Sequence, residues 1–190
     1  MSYSHTDTAL ILVDIQESFR HQACWSESDV PAFIENLQKL IDGSAAQGIP
    51  MLQVFHVEET GEFSLASGNV RTLAGLSVKP DAVFYKGSFS ALVGTGVEVW
   101  LVQHGIRRLI VAGIRTEQCC ETTTRHACDS GYEVFFVTDA TLTFPMTDRH
   151  GRTWTSAEIK ARTELVLEDR FAEILTVDAC LNSTLQEVAA

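Results

Sequence analysis

Short apolar runs, set apart by amphipathic or irregular stretches, constrain the fold of this chain more than any other feature. Ala9-Leu-Ile-Leu-Val13 is continuously apolar, and comparable runs recur at Met51–Phe55, Ala82–Tyr85, Arg108–Ala112, Glu133–Val137 and Ile174–Val177. A strand exposed on one face alternates apolar and polar residues, whereas a continuous run fits a strand buried on both faces. Helical spacing appears between the runs: Phe33, Ile34, Leu37, Leu40 and Ile41 follow Pro31, a residue suited to a first helical turn, and Gly43 and Gly48 lie near that helix's end. Further helices are expected from Val93 to His104, from the turn before Cys119 to Ser130 with Gly131 as a left-handed cap, and from Ser156, as N-cap, to Arg170. Residues 57–80 and 141–155 read as long irregular connections, and the tail after Cys180 is weakly specified. Strands alternating with helices imply right-handed crossovers, hence a three-layer αβα fold with a six-stranded parallel sheet.

Residues 1–190 are expected to form one domain, because a chain of 190 residues with 45% hydrophobic content is long and apolar enough for one sizeable core. The net charge of −11 argues against nucleic acid, which calls for a basic face, and leaves a small-molecule substrate as the expected partner. No apolar run approaches the roughly 18 residues of a membrane span. Residues 1–7 lack the basic and apolar regions of a signal peptide, so the cytoplasm is the expected compartment. The five cysteines, Cys24, Cys119, Cys120, Cys128 and Cys180, are odd in number and form no CxxC pair, which points to free thiols rather than a disulfide or zinc framework.

In a parallel sheet of this kind, ligands bind outside the carboxyl ends of the strands. Asp14 directly follows the first expected strand, Lys86 the third, and Cys119 opens the helix after the fourth. With Thr116 as N-cap, Cys119 falls in the first helical turn, where the helix dipole and Lys86 are expected to lower its pKa. Asp14 is placed to accept the thiol proton and later to activate water, with Lys86 holding it ionised. Each residue alone has a plainer reading: a turn cap, a solvated loop lysine, a packed thiol.

Three motifs carry a resemblance: Leu12-Val-Asp-Ile-Gln-Glu-Ser-Phe19, Tyr85-Lys-Gly-Ser-Phe-Ser-Ala91 and Ala112-Gly-Ile-Arg-Thr-Glu-Gln-Cys-Cys-Glu-Thr-Thr-Thr-Arg-His-Ala127. With them the chain resembles the isochorismatase-like cysteine hydrolases, which include nicotinamidases, carbamoylsarcosine amidohydrolases and isochorismatase. The resemblance implies Asp14, Lys86 and Cys119 as a catalytic triad, and a homodimer or higher homo-oligomer; no cofactor is expected. It further implies a cis peptide at Ile114–Arg115 and an oxyanion hole made by the backbone N–H groups of Arg115 and Cys119.

Departures from the family narrow the expectation. Nicotinamidases place an Asp-x-His metal-binding pattern after the second strand, where this chain reads Phe55-His-Val-Glu-Glu-Thr-Gly-Glu62. A metal held by His56 and Glu58 is therefore disfavoured against a polar loop, and nicotinamide with it. Cys120 reads as a core residue, with a resolving thiol as the sharper alternative. Phe19, Trp25 and Phe89 are candidates for an apolar substrate pocket, and Arg115 for recognition of a substrate carboxylate, against plain packing or solvation. The leading expectation is cysteine-dependent hydrolysis of a small amide, ureide or related C–N bond. The alternatives are vinyl-ether hydrolysis of the isochorismatase type, with Asp14 as acid, and a thiol-redox or ligand-binding protein on the same scaffold. Nucleotide binding fits the fold class, but Gly94-Thr-Gly96 lacks a third glycine at the required spacing.

Overall fold

The computed structural model describes residues 7–188. Strands β1 (Thr8–Val13), β2 (Met51–His56), β3 (Ala82–Lys86), β4 (Arg108–Ile114), β5 (Glu133–Leu142) and β8 (Glu173–Leu175) form a parallel sheet in the order β3-β2-β1-β4-β5-β8. Strand order reverses direction between β1 and β4, so a crevice opens there at the carboxyl edge. A two-stranded ribbon, β6 (Met146–Thr147) with β7 (Thr153–Trp154), projects beyond that edge.

The runs in β1, β2, β4 and β5 are doubly buried because alternate residues serve opposite faces, whereas the edge strand β3 leaves Val83 and Tyr85 exposed, so the expectation of burial on both faces fails there. Leu10, Leu12, Ile110 and Ala112 pack beneath α1 (Val30–Ala46) and α5 (Val177–Val188). Ala9, Ile11, Val13, Leu109 and Val111 pack beneath α2 (Val97–Gln103), α3 (Glu121–Asp129) and α4 (Ser156–Leu167). Each fully buried Leu or Ile side chain contributes about 1.5–3 kcal/mol, which is what holds three layers against the chain entropy.

Several boundaries differ from the sequence expectation. The helix foreseen from Val93 begins at Val97, because Gly94 takes a left-handed φ of 70° and Thr95 Oγ1 bonds back to the Ala91 carbonyl at 2.7 Å. The cap of α4 is Thr155 rather than Ser156: it accepts from the Glu158 amide, and Glu158 reaches back to the Thr155 amide. That helix ends at Leu167, short of Arg170. The last strand begins at Glu173, and of the tail after Cys180 residues 181–188 continue α5, in which Cys180 is buried, while 189–190 lie outside the described residues. Gly43 lies in the last turn of α1, and Gly48 takes a left-handed φ of 70° just past its end, both near the helix end as expected. Gly131 does take a left-handed φ, 90°, just after α3.

Strand β5 runs to Leu142, well past the expected Val137, by making an excursion. Val111 pairs with Phe136, but Gly113 pairs with Thr141, so residues 137–140 bulge out of the ladder. Lys160 Nζ, from α4, donates to the carbonyls of Thr138 (3.2 Å) and Thr141 (2.6 Å) and ties the excursion down. Gly113 makes the close pairing with β1 possible. A Cβ on it would stand 2.0 Å from the Val13 carbonyl oxygen, and its φ of 134° is one that only glycine adopts without strain.

Candidate active site

Where β1 ends, Asp14 reverses the chain with a left-handed φ of 49°, uncommon for a residue other than glycine. Its amide is held by the Val54 carbonyl at 2.8 Å and its carbonyl by the Gln16 amide at 2.8 Å, so the turn is fixed from both sides. Gln16, fully buried, bonds both the amide (2.8 Å) and the carbonyl (3.1 Å) of His56 and thereby clamps the end of β1 to the end of β2. Lys86 is the last residue of β3 and is 1% exposed.

The peptide Ile114–Arg115 at the end of β4 is cis. Thr116 is not the N-cap. Arg115 occupies that place, and residues Thr116–Cys120 form a single wide, π-type turn ahead of α3. Its signature is the Arg115 carbonyl, which accepts from both the Gln118 and the Cys120 amides at 3.2 Å. The Thr116 hydroxyl, freed from capping, pairs with that of Thr141 at 2.8 Å and pins the turn to β5. Cys119 is thus presented at the crevice from a turn anchored at both ends.

Asp14, Lys86 and Cys119 meet. Lys86 Nζ lies 2.8 Å from Asp14 Oδ2, 2.9 Å from the Ser88 carbonyl, 3.3 Å from His56 Nδ1 and 3.4 Å from Cys119 Sγ. An ammonium only donates, so Nδ1 of His56 is the acceptor, and Nε2 carries the proton toward Glu58 Oε1 at 3.5 Å. Ser88 is placed by its own hydroxyl, which bonds the carbonyls of Ser90 and Val93. Ser90 in turn bonds His126 Nδ1 at 2.9 Å on α3.

Electrostatics at this cluster reverse one expectation. Burial, followed by the charge of Asp14, pushes the Cys119 thiol up to about 12, and the opposing pull of Lys86 does not offset them. Burial also raises Asp14, against Lys86 and the Cys119 thiol, which both pull it down. Both shifts favour a neutral thiol beside a carboxylate of raised proton affinity. Cys120 is fully buried and its thiol is raised well above the ordinary range, chiefly by burial, which is the setting of an inert core cysteine.

The other sequence candidates separate. Phe19 is buried against Phe63 in an edge-to-face contact at 5.1 Å, and Phe63 in turn meets the His56 ring at 5.6 Å. Trp25 is half-buried against Phe144 at 5.3 Å. Phe89, by contrast, is 59% exposed on the loop after β3. Arg115 turns inward: its side chain is 13% exposed, with Cζ over the Phe144 ring at 5.6 Å and Nε 3.1 Å from Glu117 Oε1. His56 Nδ1 is engaged by the Lys86 ammonium, while Nε2 faces Glu58 at 3.5 Å, and among the described residues no group of three His, Cys, Asp or Glu gathers as a metal site. Sequence reasoning missed Ser88, Glu117, Phe63 and Phe144. Nothing in their spacing announces them, because Ser88 acts through a main-chain carbonyl and the others become neighbours only once the sheet is built.

Comparison with known proteins gives this constellation a lineage. The isochorismatase domain matches residues 8–179. The chain belongs to the isochorismatase family. The family member YrdC of Bacillus subtilis (strain 168) is 28% identical to it over 181 residues, covering 94% of this chain and 96% of its own. Nicotinamidase 3 of Arabidopsis thaliana is 29% identical over 152 residues, covering 72% and 73%. A protein of the isochorismatase family from Chromobacterium violaceum ATCC 12472 superposes with a TM-score of 0.86 at 25% identity, over 98% of this chain and 97% of that one. The chain is an isochorismatase-family hydrolase with that family's α/β fold. No helix among its described residues is long and apolar enough to cross a membrane.

Proposed function

We propose that the protein hydrolyses a small amide, ureide or related C–N bond through a thioester on Cys119. The observation that carries this is the single ammonium of Lys86 shared between Asp14 and Cys119. As Cys119 Sγ attacks the carbonyl carbon, its proton passes to Asp14 and the carbonyl oxygen becomes an oxyanion, received by the backbone N–H groups of Arg115 and Cys119. Asp14 returns the proton to the leaving nitrogen as the C–N bond breaks, which leaves a thioester and a free amine. Water then loses a proton to Asp14 and attacks the thioester; the acid departs and the thiol is restored.

Lack of a metal-binding pattern beside His56 weighs against nicotinamide as the substrate, although nicotinamidases stand among the relatives. A second reading draws on Asp14: a buried carboxyl with raised proton affinity suits the acid of a vinyl-ether hydrolysis. Ammonia release from a panel of small primary amides and ureides, with Cys119→Ala alongside, separates the two. Release by the wild type and loss in the variant supports the thioester route. A Cys119→Ala variant that cleaves a vinyl ether at the wild-type rate, with no amide turned over by either form, overturns it.

A further inference from the structure

We infer that the substrate carries a carboxylate in addition to its scissile C–N bond, and that the Arg115 guanidinium binds it. The inference rests on the amide-hydrolase reading above and adds a substrate class to it. Arg115 lies at the end of β4, and register places that end beside the end of β1: Val13 pairs with Gly113, so Arg115 follows on the crevice where β1 and β4 part. Its carbonyl is a fixed member of the turn that presents Cys119.

The side chain is a buried cation with unused donors. Nε and Nη2 are withdrawn from water, yet among the described residues neither has a hydrogen-bond partner. Glu117 faces Nε at 3.1 Å without the alignment of a hydrogen bond, and its other oxygen accepts the Thr143 hydroxyl at 2.5 Å. Among the described residues Nη1 meets only the Cys24 thiol, at 4.0 Å, a feeble acceptor. The Nη1–Nη2 edge therefore lacks the acceptors its geometry is built for. Native proteins seldom leave such donors buried and idle, and an acceptor brought by a ligand is one way to satisfy them. A carboxylate presents two oxygens in a plane that matches this edge, and the flanking Phe144 ring lowers the local dielectric and strengthens the pairing. It would exchange the thiol contact of Cys24 for charge-assisted hydrogen bonds.

The test uses pairs of substrates alike in the scissile amide: succinamate and glutaramate, each against its methyl ester. The wild type is expected to favour the acid over the ester by about 10²-fold or more in kcat/KM. Arg115→Gln should bring that ratio toward one, mostly through KM, and Arg115→Lys should recover only part of it. The double variant Arg115→Gln with Glu117→Gln removes both buried charges together, so the loss of preference is read without a stranded carboxylate. Equal use of acid and ester by the wild type, or an undiminished preference in either Gln variant, overturns the inference. If no compound releases ammonia, the hydrolase reading fails separately, and the anion site is read by binding. Calorimetry of Cys119→Ala with the same four compounds should show the acids binding more tightly than the esters, and the added Arg115→Gln should erase the difference. No difference between acids and esters in that experiment overturns the inference as well.

Discussion

Two buried cations stand at the carboxyl edge of the sheet, and they are provided for in opposite ways. Lys86 has three N–H bonds and three hydrogen-bond acceptors around it, Ser88, His56 and Cys119, with the Asp14 carboxylate as an ion-pair partner at 2.8 Å besides. Arg115 has five N–H bonds and a poorly aligned Glu117, a distant thiol and an aromatic face to meet them. An oversubscribed donor is locked, because any rotation trades one contact for another. An undersubscribed donor waits for an acceptor from outside. The contrast separates a part of the site that is complete by itself from a part completed by its ligand.

The comparison can be broken most severely at the nucleophile. Cys119→Ala is expected to lower kcat by at least about 10³-fold in steady-state ammonia release, since residues acting as a unit lose nearly everything when one is removed. Asp14→Asn should lose turnover to a similar extent while its thiol behaves in the opposite way. The Asp14 charge raises Cys119, so removing it lowers the thiol pKa, and alkylation by iodoacetamide at pH 7 should run faster than in the wild type. Slower alkylation would mean that Asp14 activates the resting thiol rather than restraining it.

Lys86→Met strands the Asp14 carboxylate in the interior. It should cost about 3–5 kcal/mol in urea unfolding, or force Asp14 to stay protonated up to neutral pH. Glu117→Gln sharpens the other side of the comparison. It frees the Arg115 charge, and KM for a carboxylated amide should fall by about tenfold while KM for its ester does not. The smallest effect is one of pH. Cys119 and Cys180 are both held up to about 12 by burial, so each binds its proton more tightly folded than unfolded. Their stabilising contribution is complete below the ordinary thiol pKa of 9.0 and is lost as pH rises from there toward 12. A thermal melt series over that window should show the loss, and Cys119→Ala should flatten part of it.

The sheet was legible because each central strand is buried on both faces and its sequence has no freedom to be polar. Ala9–Val13 and Arg108–Ala112 are such strands, and they lie side by side at the centre. Legibility failed where tertiary contacts decide. The excursion in β5 depends on Lys160 from α4, 19 residues beyond Thr141, and no local pattern encodes it. Thr116 has the chemistry of a cap, but a hydroxyl at Thr141 competes for it and the turn winds wide instead. The three residues of the cluster were readable from their positions at strand ends. The direction of the thiol pKa was not, because it depends on how completely the crevice buries Cys119, and burial with the Asp14 charge outweighed the lysine. Arg115 was named as a carboxylate candidate from its place in the chain, but the inward turn of its side chain against Phe144 is visible only in three dimensions.

The crowding around Lys86 has a consequence for the timing of events. In each proposed step negative charge moves among Asp14, Cys119 and the substrate, and the lysine already touches the first two. It has no need to travel to follow the charge; it only redistributes its three hydrogens among neighbours in place. Little must rearrange as the reaction advances, and the work of orienting dipoles, which water would have to repeat at every turnover, is done once, when the chain folds.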